Sequence, residues 1–288
     1  MAGTAEDTTD AFSIIGDENR TAIVRALVDH RGEHPEEPAL SFTALQERSG
    51  IDDKGNFNYH LDRLTDAFVK KTDDGYELTG MGGKMAGVLL SGKYSDRVER
   101  AETDRQCPVS DCEAPVTVRL RAGRTRVRCA DDHLLFMISV PPGAAAGRGA
   151  DEILAVASFY WQQVLALHSY GVCVECFGHE VGEVEPRDHP ETGETVYVYR
   201  SNCDNCGLSF CTTPGAVLVH HPAMVSLYHD HGVDVRDRPP WRLSFNRWEN
   251  HEVVSEDPLR LRVTAEVEGD RVHVELDRSG AVLTVTGE

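Results

Sequence analysis

The positions of the cysteines constrain this chain more than any other feature of its sequence. All eight lie after residue 106 of the 288, and seven of them fall into two tandem units. No apolar run approaches the roughly 20 residues that cross a bilayer, and residues 1–10 are polar and acidic, so we expect a cytoplasmic protein without membrane contact. In a cytoplasmic chain, clustered cysteines are more often metal ligands than disulfides.

The second cysteine unit carries the stronger metal signal. Cys173 and Cys176 form one Cys-x-x-Cys pair, and Cys203 and Cys206 form another. Two such pairs supply four thiolates, the complete ligand set of a tetrahedral structural zinc ion. Core packing gives no reason for this spacing to occur twice, and neither pair opens the βαβ pattern of a thioredoxin-like redox motif. We therefore expect a closed zinc site.

The first unit offers three thiolates and one imidazole, from Cys107, Cys112, Cys129 and His133. Its outer loop is longer than is usual for zinc, and Asp131 or Asp132 is an alternative to His133 as the fourth ligand. Together the two units predict zinc-ribbon-like modules at about 105–140 and 171–214, each stabilised by a structural zinc ion.

The remaining cysteine and the residues around the two units do not predict catalysis. Catalytic zinc keeps an open position and usually a nearby glutamate base, whereas both units have four protein ligands. No His-Glu-x-x-His, Walker loop or Gly-x-Ser-x-Gly occurs in the chain, so we expect a protein that is not an enzyme. Cys211 is expected to be a small buried residue, with replacement of Cys206 as a ligand or a redox-responsive thiol as alternatives.

Residues 41–68 predict a helix, a tight turn with Gly50 at its corner, and a second helix. Phe57, Leu61 and Leu64 keep helical spacing and form the buried stripe of the second helix. The opposite face carries side-chain types that reach base edges and phosphates. They are Lys54, Asn56, Asn58, Tyr59, His60 and Arg63. The alternatives are partial burial for Tyr59 or His60 and an ordinary capping role for Asn56.

Residues 69–78 predict a β-hairpin, because two short strands flank an Asp-Gly turn at Asp74 and Gly75. Its first strand carries Lys70 and Lys71, which we expect to contact DNA phosphates. A helix-turn-helix followed by a hairpin is a winged helix.

Residues 56–64, Asn-Phe-Asn-Tyr-His-Leu-Asp-Arg-Leu, together with this hairpin resemble the recognition helix and wing of ArsR-type regulators from extreme halophiles. The resemblance covers residues 11–90. It implies a homodimer on duplex DNA, with the second helix in the major groove and the wing against the backbone. Metal-sensing members carry cysteine ligands within the winged helix, and residues 1–106 contain no cysteine. Metal-responsive derepression is therefore not implied.

The net charge is −19, from 29 basic and 48 acidic residues, which by itself opposes nucleic-acid binding. The acidic residues are spread along the chain, whereas the basic residues of the second helix and hairpin are clustered. Such an acid excess is typical of proteins that stay soluble in molar salt, where counterion release contributes less to DNA binding. The composition therefore indicates a saline cytoplasm.

Periodicity and turn residues predict the remaining elements. Helices are expected at 10–15, 18–30, 79–100, 151–170 and 221–231, and strands at 116–120, 126–128, 134–140, 196–200, 241–248 and within 259–286. The helix at 79–100 is expected to form the dimer seam, and residues 96–105 a charged linker or helix end. Residues 183–194 predict an acidic loop. Phe159, Tyr160 and Trp161 are core residues or one wall of a ligand pocket.

These patterns predict an α+β protein with a disordered tail at 1–10, a winged helix DNA-binding domain with its dimerisation helix at 11–104, and a zinc-binding α+β domain at 105–288. The expected function is sequence-specific transcriptional regulation by a homodimer on double-stranded DNA, with a second half that is structural or senses a small-molecule effector. The alternative is an adaptor, in which a degenerate winged helix and zinc ribbons bind transcription machinery or another protein without reading DNA.

Overall fold

The computed structural model describes residues 16–90, 99–109, 111–121, 123–145, 147–188 and 193–287. Within them lie six α-helices and four antiparallel sheets, so the chain is mixed α/β. It divides into two compact units, Met1–Ser95 with Pro141–Ala146 and Asp96–Val140 with Gly147–Glu288. The tail predicted at 1–10 and the helix predicted at 10–15 lie outside the described residues. No helix in the described part of the chain is long and apolar enough to span a membrane.

The described residues of the first compact unit form four α-helices and one hairpin. They are α1 (Glu18–Glu33), α2 (Phe42–Ser49), α3 (Lys54–Leu64), β1 (Val69–Thr72), β2 (Gly75–Leu78) and α4 (Gly80–Leu90). Side-chain oxygens cap the first three helices, because Asp17, Ser41 and Asp53 each accept a hydrogen bond from a first-turn N–H. Gly50 ends α2 in the left-handed conformation with φ 72°, as the turn residue at this corner requires.

The core of the first unit lies between α1, α2 and α3. Ile23, Leu45 and Phe57 have no exposed surface, and Leu27 and Leu61 are 1% exposed. Burial of each such side chain contributes roughly 1.5–3 kcal/mol. The predicted stripe of Phe57, Leu61 and Leu64 is confirmed, and the hairpin pairs Val69 with Leu78 at its base.

The predicted charged linker is wrong where the structure describes it, because Glu99–Gln106 forms the strand β3. Thr103 faces inward and its hydroxyl donates to the carbonyl oxygen of Val116, whereas Glu102 and Asp104 face solvent. An edge strand can carry this many charges because only one of its faces is buried. The domain boundary predicted at residue 104 falls inside this strand. Of the helix predicted at 79–100, Gly80–Leu90 forms α4, residues 91–98 lie outside the described residues, and residues 99 and 100 belong to β3.

The described residues of the second compact unit form three sheets and two α-helices. The first sheet contains β3, β4 (Pro115–Arg121), β5 (Arg124–Cys129) and β6 (Leu134–Ser139), and is followed by the helix α5 (Ala150–Ser169). The second sheet contains β7 (Glu180–Asp188), β8 (Thr195–Cys203) and β9 (Ser209–Thr212), and is followed by the helix α6 (Pro222–Asp230). The third sheet contains β10 (His251–Glu256), β11 (Leu259–Val267), β12 (Asp270–Asp277) and β13 (Val282–Gly287). In each sheet the strands are adjacent in chain order. The sheets are therefore built from hairpin connections, whose short turns suit antiparallel pairing.

Helix α5 covers one face of the β3–β6 sheet. Trp161 is 4% exposed and meets Phe136 of β6 edge-on at a centroid distance of 6.3 Å. Ile153, Leu154, Val164 and Leu165 of α5 are buried as well. Phe159 on the same helix is 53% exposed, so the three aromatic residues do not share one environment.

Two further predictions are wrong in this unit. Residues 183–188 of the expected acidic loop at 183–194 belong to the strand β7, which pairs along its length with β8 and buries Val184 completely. Residues 189–192 lie outside the described residues. The strand expected at 241–248 is a series of 3-10 turns, Pro240–Arg242, Ser244–Asn246 and Trp248–Asn250. Pro239 and Pro240 lack the N–H that a sheet ladder needs, which disfavours a strand here.

Candidate functional site

Two matched backbone turns bring four thiols together between α5 and β9. The N–H of Phe177 donates to the Cys173 carbonyl, and the N–H of Gly207 donates to the Cys203 carbonyl. Phe177 and Gly207 have φ values of 57° and 72°, so both turns close through a left-handed residue. The N–H of Gly178 also donates to the Cys176 Sγ at 3.3 Å. Each turn therefore directs both of its thiol groups toward the same position, where the four sulfur atoms meet.

The spacing of these thiols matches metal coordination and not a disulfide. The Sγ atoms of Cys173 and Cys206 are 3.6 Å apart, and those of Cys176 and Cys203 are 3.5 Å apart. A tetrahedral ion with metal–sulfur bonds of about 2.3 Å places its sulfurs about 3.8 Å apart. A disulfide would need about 2.0 Å. The four cysteines could therefore hold a metal ion.

Without a bound cation, the thiols of this cluster differ in how readily they ionise. The Asn205 side chain and then the Gly178 N–H lower the pKa of Cys176 to about 6. The Leu208 N–H favours the Cys206 thiolate, but desolvation and the adjacent thiols outweigh it and raise the pKa of Cys206 to about 12. A bound divalent cation would remove this conflict by stabilising all four thiolates together.

The first cluster in chain order lies at one end of the β3–β6 sheet and contains Cys107, Cys112, Cys129 and His133. The His133 Nδ1 lies 3.4 Å from the Cys129 Sγ and 3.6 Å from the Cys107 Sγ. The Sγ atoms of Cys112 and Cys129 are 3.9 Å apart. These distances also fit one tetrahedral ion, and the three cysteines are at most 8% exposed.

The structure places the two alternative ligands of this cluster differently. The Asp131 Oδ2 lies 3.4 Å from the Cys112 Sγ, at the edge of the cluster. Asp132 instead forms an ion pair with Arg128 at 3.1 Å. The four atoms that lie mutually within 4.8 Å include the His133 imidazole and neither aspartate.

A third group of metal-binding residue types lies at the end of α1, formed by His30, Glu33 and His34. Glu33 already pairs with Arg48 at 2.6 Å, and the His30 Nε2 lies 3.0 Å from the Glu37 carbonyl oxygen. The two four-ligand clusters are therefore the better candidate metal centres.

The expectation that Cys211 is buried is wrong, because this residue is exposed. It lies on β9, where Ser209 and Cys211 face outward and Phe210 faces inward. Its sulfur is 3.8 Å from the Arg187 Nη1 and belongs to neither metal-binding group.

The predicted DNA-facing residues of α3 are exposed with one exception. Lys54, Asn56, Asn58, Tyr59 and Arg63 lie on the solvent side of the helix, and Lys70 and Lys71 are exposed on β1. Arg63 lies over the Tyr59 ring at 5.9 Å, and the Asn58 Nδ2 donates to the Asp62 carboxylate at 2.9 Å. Lys70 pairs with Glu77 at 2.9 Å.

The placement of His60 on this open face is wrong, because its side chain is buried and the residue is 6% exposed. Its Nδ1 lies 3.4 Å from the Asp17 carboxylate and its Nε2 lies 3.2 Å from the Asn19 amide nitrogen. His60 follows Phe57 by three residues, so helical spacing places it beside the buried stripe. That spacing is the signal by which the sequence indicates its burial.

Residues 104–282, more than half of the chain, match the family model described as Domain of unknown function (DUF7351). The chain belongs to the DUF7351 family. Residues 8–89 match a second model, Domain of unknown function (DUF7347). No curated protein and no solved structure matches the chain. Both cysteine clusters lie within the DUF7351 match, whereas α3 and the β1–β2 hairpin lie within the DUF7347 match.

The DUF7351 region also holds a buried polar cluster that sequence analysis did not identify. His168 and Glu180 are each 3% exposed, and the His168 Nδ1 contacts both the Glu180 carboxylate and the Ser201 hydroxyl. Phe210 stacks on the imidazole at 4.1 Å. Because Glu180 pairs with Cys203 in the β7–β8 ladder, this cluster joins α5 to the strands that position the thiols.

Proposed function

We propose that this protein is a sequence-specific DNA-binding transcriptional regulator that acts as a homodimer, with a zinc ion in each of its two cysteine clusters. The main support for the proposal is that α3 has a buried apolar face and an opposite exposed face that carries Lys54, Asn56, Asn58, Tyr59 and Arg63. The comparisons assign no activity, so the proposal depends on the chemistry of the described residues.

The buried face fixes the orientation of α3. Phe57, Leu61 and Leu64 are at most 1% exposed, which prevents the helix from rotating about its axis. The open face then presents Asn58 and Arg63, whose amide and guanidinium groups pair with adenine and guanine edges. The 11 residues of α3 span about 16 Å, and a B-DNA major groove about 12 Å wide admits such a helix.

The hairpin after α3 supports the interpretation of the first unit as a winged helix. Leu40 and Tyr76 exchange backbone hydrogen bonds of 2.9 and 2.8 Å, so a single β-bridge links the chain before α2 to β2. A Cβ atom on Gly75 would lie 2.2 Å from the Leu40 carbonyl oxygen, so only glycine permits this pairing. The exposed Lys70 and Lys71 then lie on a hairpin held against the helices, as a DNA-contacting wing requires.

Zinc is the metal that best fits both clusters. Thiolate and imidazole ligands in four-coordinate tetrahedral geometry are the usual set for structural zinc. The positions at the ends of short antiparallel strands also support two zinc-ribbon-like modules. The bound ion would cross-link loops that have few apolar contacts of their own.

The proposal is tested with the full zinc-loaded chain in concentrated KCl. Fluorescence anisotropy compares its binding to duplex DNA from its own promoter with binding to a scrambled duplex. We expect Arg63→Ala and Asn58→Ala each to lose about 1–3 kcal/mol of discrimination between the two duplexes. Arg25→Ala, which removes an exposed positive charge from α1, should leave discrimination unchanged.

The proposed function is rejected if the wild-type chain does not distinguish the two duplexes, or if the α3 variants bind as the wild type does. The homodimer is tested separately by sedimentation of the free chain. Met81 on α4 is 58% exposed, and Met81→Glu should shift the chain toward the monomer if α4 forms the seam.

A further inference from the structure

Five arginines lie on one face of the β4–β5 hairpin in the second unit. Arg119 is directly opposite Arg126 in the antiparallel ladder, Arg121 is opposite Arg124, and Thr117 is opposite Arg128. Side chains alternate between the two faces of a strand, so positions separated by two residues share a face. The ladder therefore places all five guanidinium groups on the same side of the sheet.

This arginine face has little internal charge compensation. Arg119, Arg121, Arg124 and Arg126 are exposed, and none forms an ion pair with a described carboxylate. Arg128 pairs with Asp132 at 3.1 Å. The other carboxylates on this side of the described sheet are those of Glu102, which lies opposite Thr117 on β3, and Asp104, two residues further along the same strand. The five arginines outnumber these carboxylates, so the surface has a net positive charge in a chain whose net charge is −19.

The arrangement lowers the stability of the free hairpin. Like charges directly opposite each other on neighbouring strands repel, and two such arginine pairs stand side by side. A bound anion would remove this repulsion. The observed pattern therefore fits a surface whose partner is negatively charged and contacts several guanidinium groups together.

The other side of the hairpin cannot serve as this surface, because it is buried. Val116 and Val127 have no exposed surface, and Val118 is 2% exposed. The open side forms a cavity of about 320 Å³ lined in part by Arg119, Arg126 and Arg128. Cys129, which belongs to a cluster that could hold a metal ion, is the last residue of β5 and directly follows Arg128.

We propose that the arginine face binds the phosphate backbone of duplex DNA and forms a second DNA contact, separate in sequence from α3. Guanidinium groups pair with phosphate oxygens in a two-pronged geometry that lysine does not offer. Successive arginines on one strand are about 6.8 Å apart, so one strand can contact successive phosphates. The described residues of this face include no aromatic ring on which a base could stack, which favours the backbone over unpaired bases.

The inference rests on the proposed function only in taking duplex DNA as the ligand. Phosphate contacts act on all sequences equally, whereas α3 is proposed to distinguish sequences. The two surfaces therefore give different signatures in one binding experiment.

The test uses the full zinc-loaded chain with Arg119→Gln and Arg126→Gln combined, and anisotropy on the promoter and scrambled duplexes over a series of KCl concentrations. We expect several-fold weaker binding to both duplexes and unchanged discrimination between them. The slope of log K against log salt should become shallower by about 2. The matched control combines Arg260→Gln and Arg278→Gln, two exposed arginines outside this face with the same total charge change, and should bind as the wild type does.

Three results would overturn the inference. The first is an arginine-face variant that binds as its control does while circular dichroism shows both folded. The second is a wild-type chain that binds no duplex at any salt concentration. The third is stronger displacement by polyglutamate than by unlabelled duplex, which would indicate an acidic protein partner. If Arg63→Ala has no effect and the arginine-face variant still weakens binding to both duplexes, the α3 proposal fails and this inference stands.

Discussion

The Sγ atoms of Cys176 and Cys203 lie 3.5 Å apart although the two residues are 27 positions apart in the chain. A shared metal ion would close this loop, and structural zinc contributes on the order of 10 kcal/mol to folding in small modules. We therefore expect Cys203→Ser to lose about one of two bound zinc equivalents and to unfold at a clearly lower temperature. Metal analysis and thermal melting of the purified chain measure both effects.

The chain contains its own control for this substitution. Cys211 is exposed and belongs to neither metal-binding group, so Cys211→Ser should keep both zinc equivalents and the wild-type melting temperature. A wild-type metal content in Cys203→Ser would contradict the four-cysteine site.

Thiol reactivity should report metal occupancy at the same site. In the zinc-loaded chain we expect iodoacetamide to modify Cys211 first, because it is exposed and unligated. After chelation, Cys176 should also react rapidly, since its pKa of about 6 makes it largely a thiolate at neutral pH. Its rate should decrease as the pH falls through about 6, because protonation removes the nucleophile.

Peptide mass spectrometry after timed alkylation distinguishes these thiols. Cys206 is the internal comparison, because its pKa is raised to about 12 and it stays mainly protonated over the same pH range. Faster modification of Cys206 than of Cys176 in the chelated chain would refute the assignment.

Local sequence patterns were sufficient to predict the structure where a single physical requirement determined both the spacing and the type of the residues. The stripe of Phe57, Leu61 and Leu64 was predictable because a helix repeats its buried face about every 3.6 residues. The pairs Cys173/Cys176 and Cys203/Cys206 were predictable because tetrahedral coordination requires four ligands at one point. The structure brings these groups together as expected.

Predictions failed where a partner distant in sequence determined the outcome. The charges of residues 99–106 predict solvent exposure, yet pairing with β4 makes this segment a strand. His60 was assigned to the open face although its spacing from Phe57 indicates burial, and Asp17 and Asn19 provide it with polar contacts inside the unit. The arginine face was not predicted, because it appears only when the β4–β5 register aligns Arg119 with Arg126.

The fourth ligand of the first cluster can be tested by paired substitutions. The His133 Nδ1 lies 3.4 Å from the Cys129 Sγ, whereas Asp131 approaches only the Cys112 Sγ, at the same distance. We expect His133→Ala to lose the zinc of this cluster, because three ligands bind more weakly than four. Asp131→Asn, which keeps the side-chain shape, should retain it. Cobalt substitution provides the measurement, since its absorption depends on the ligand set, and a cobalt spectrum altered in Asp131→Asn but not in His133→Ala would reverse the assignment.

Replacing two different glycines of α4 with alanine should change the stability of the protein in opposite directions. A Cβ atom on Gly82 would lie 1.9 Å from the Phe68 carbonyl oxygen, whereas one on Gly87 would meet no atom within 4 Å. Gly82→Ala must displace backbone and should destabilise the first unit by about 1–3 kcal/mol. Gly87→Ala should stabilise α4 by about 0.5–1 kcal/mol, because alanine loses less backbone entropy in a helix. Hydrogen exchange of the α4 amides measures both local changes, and equal protection in the two variants would show that Gly82 does not set the approach of α4 to Phe68.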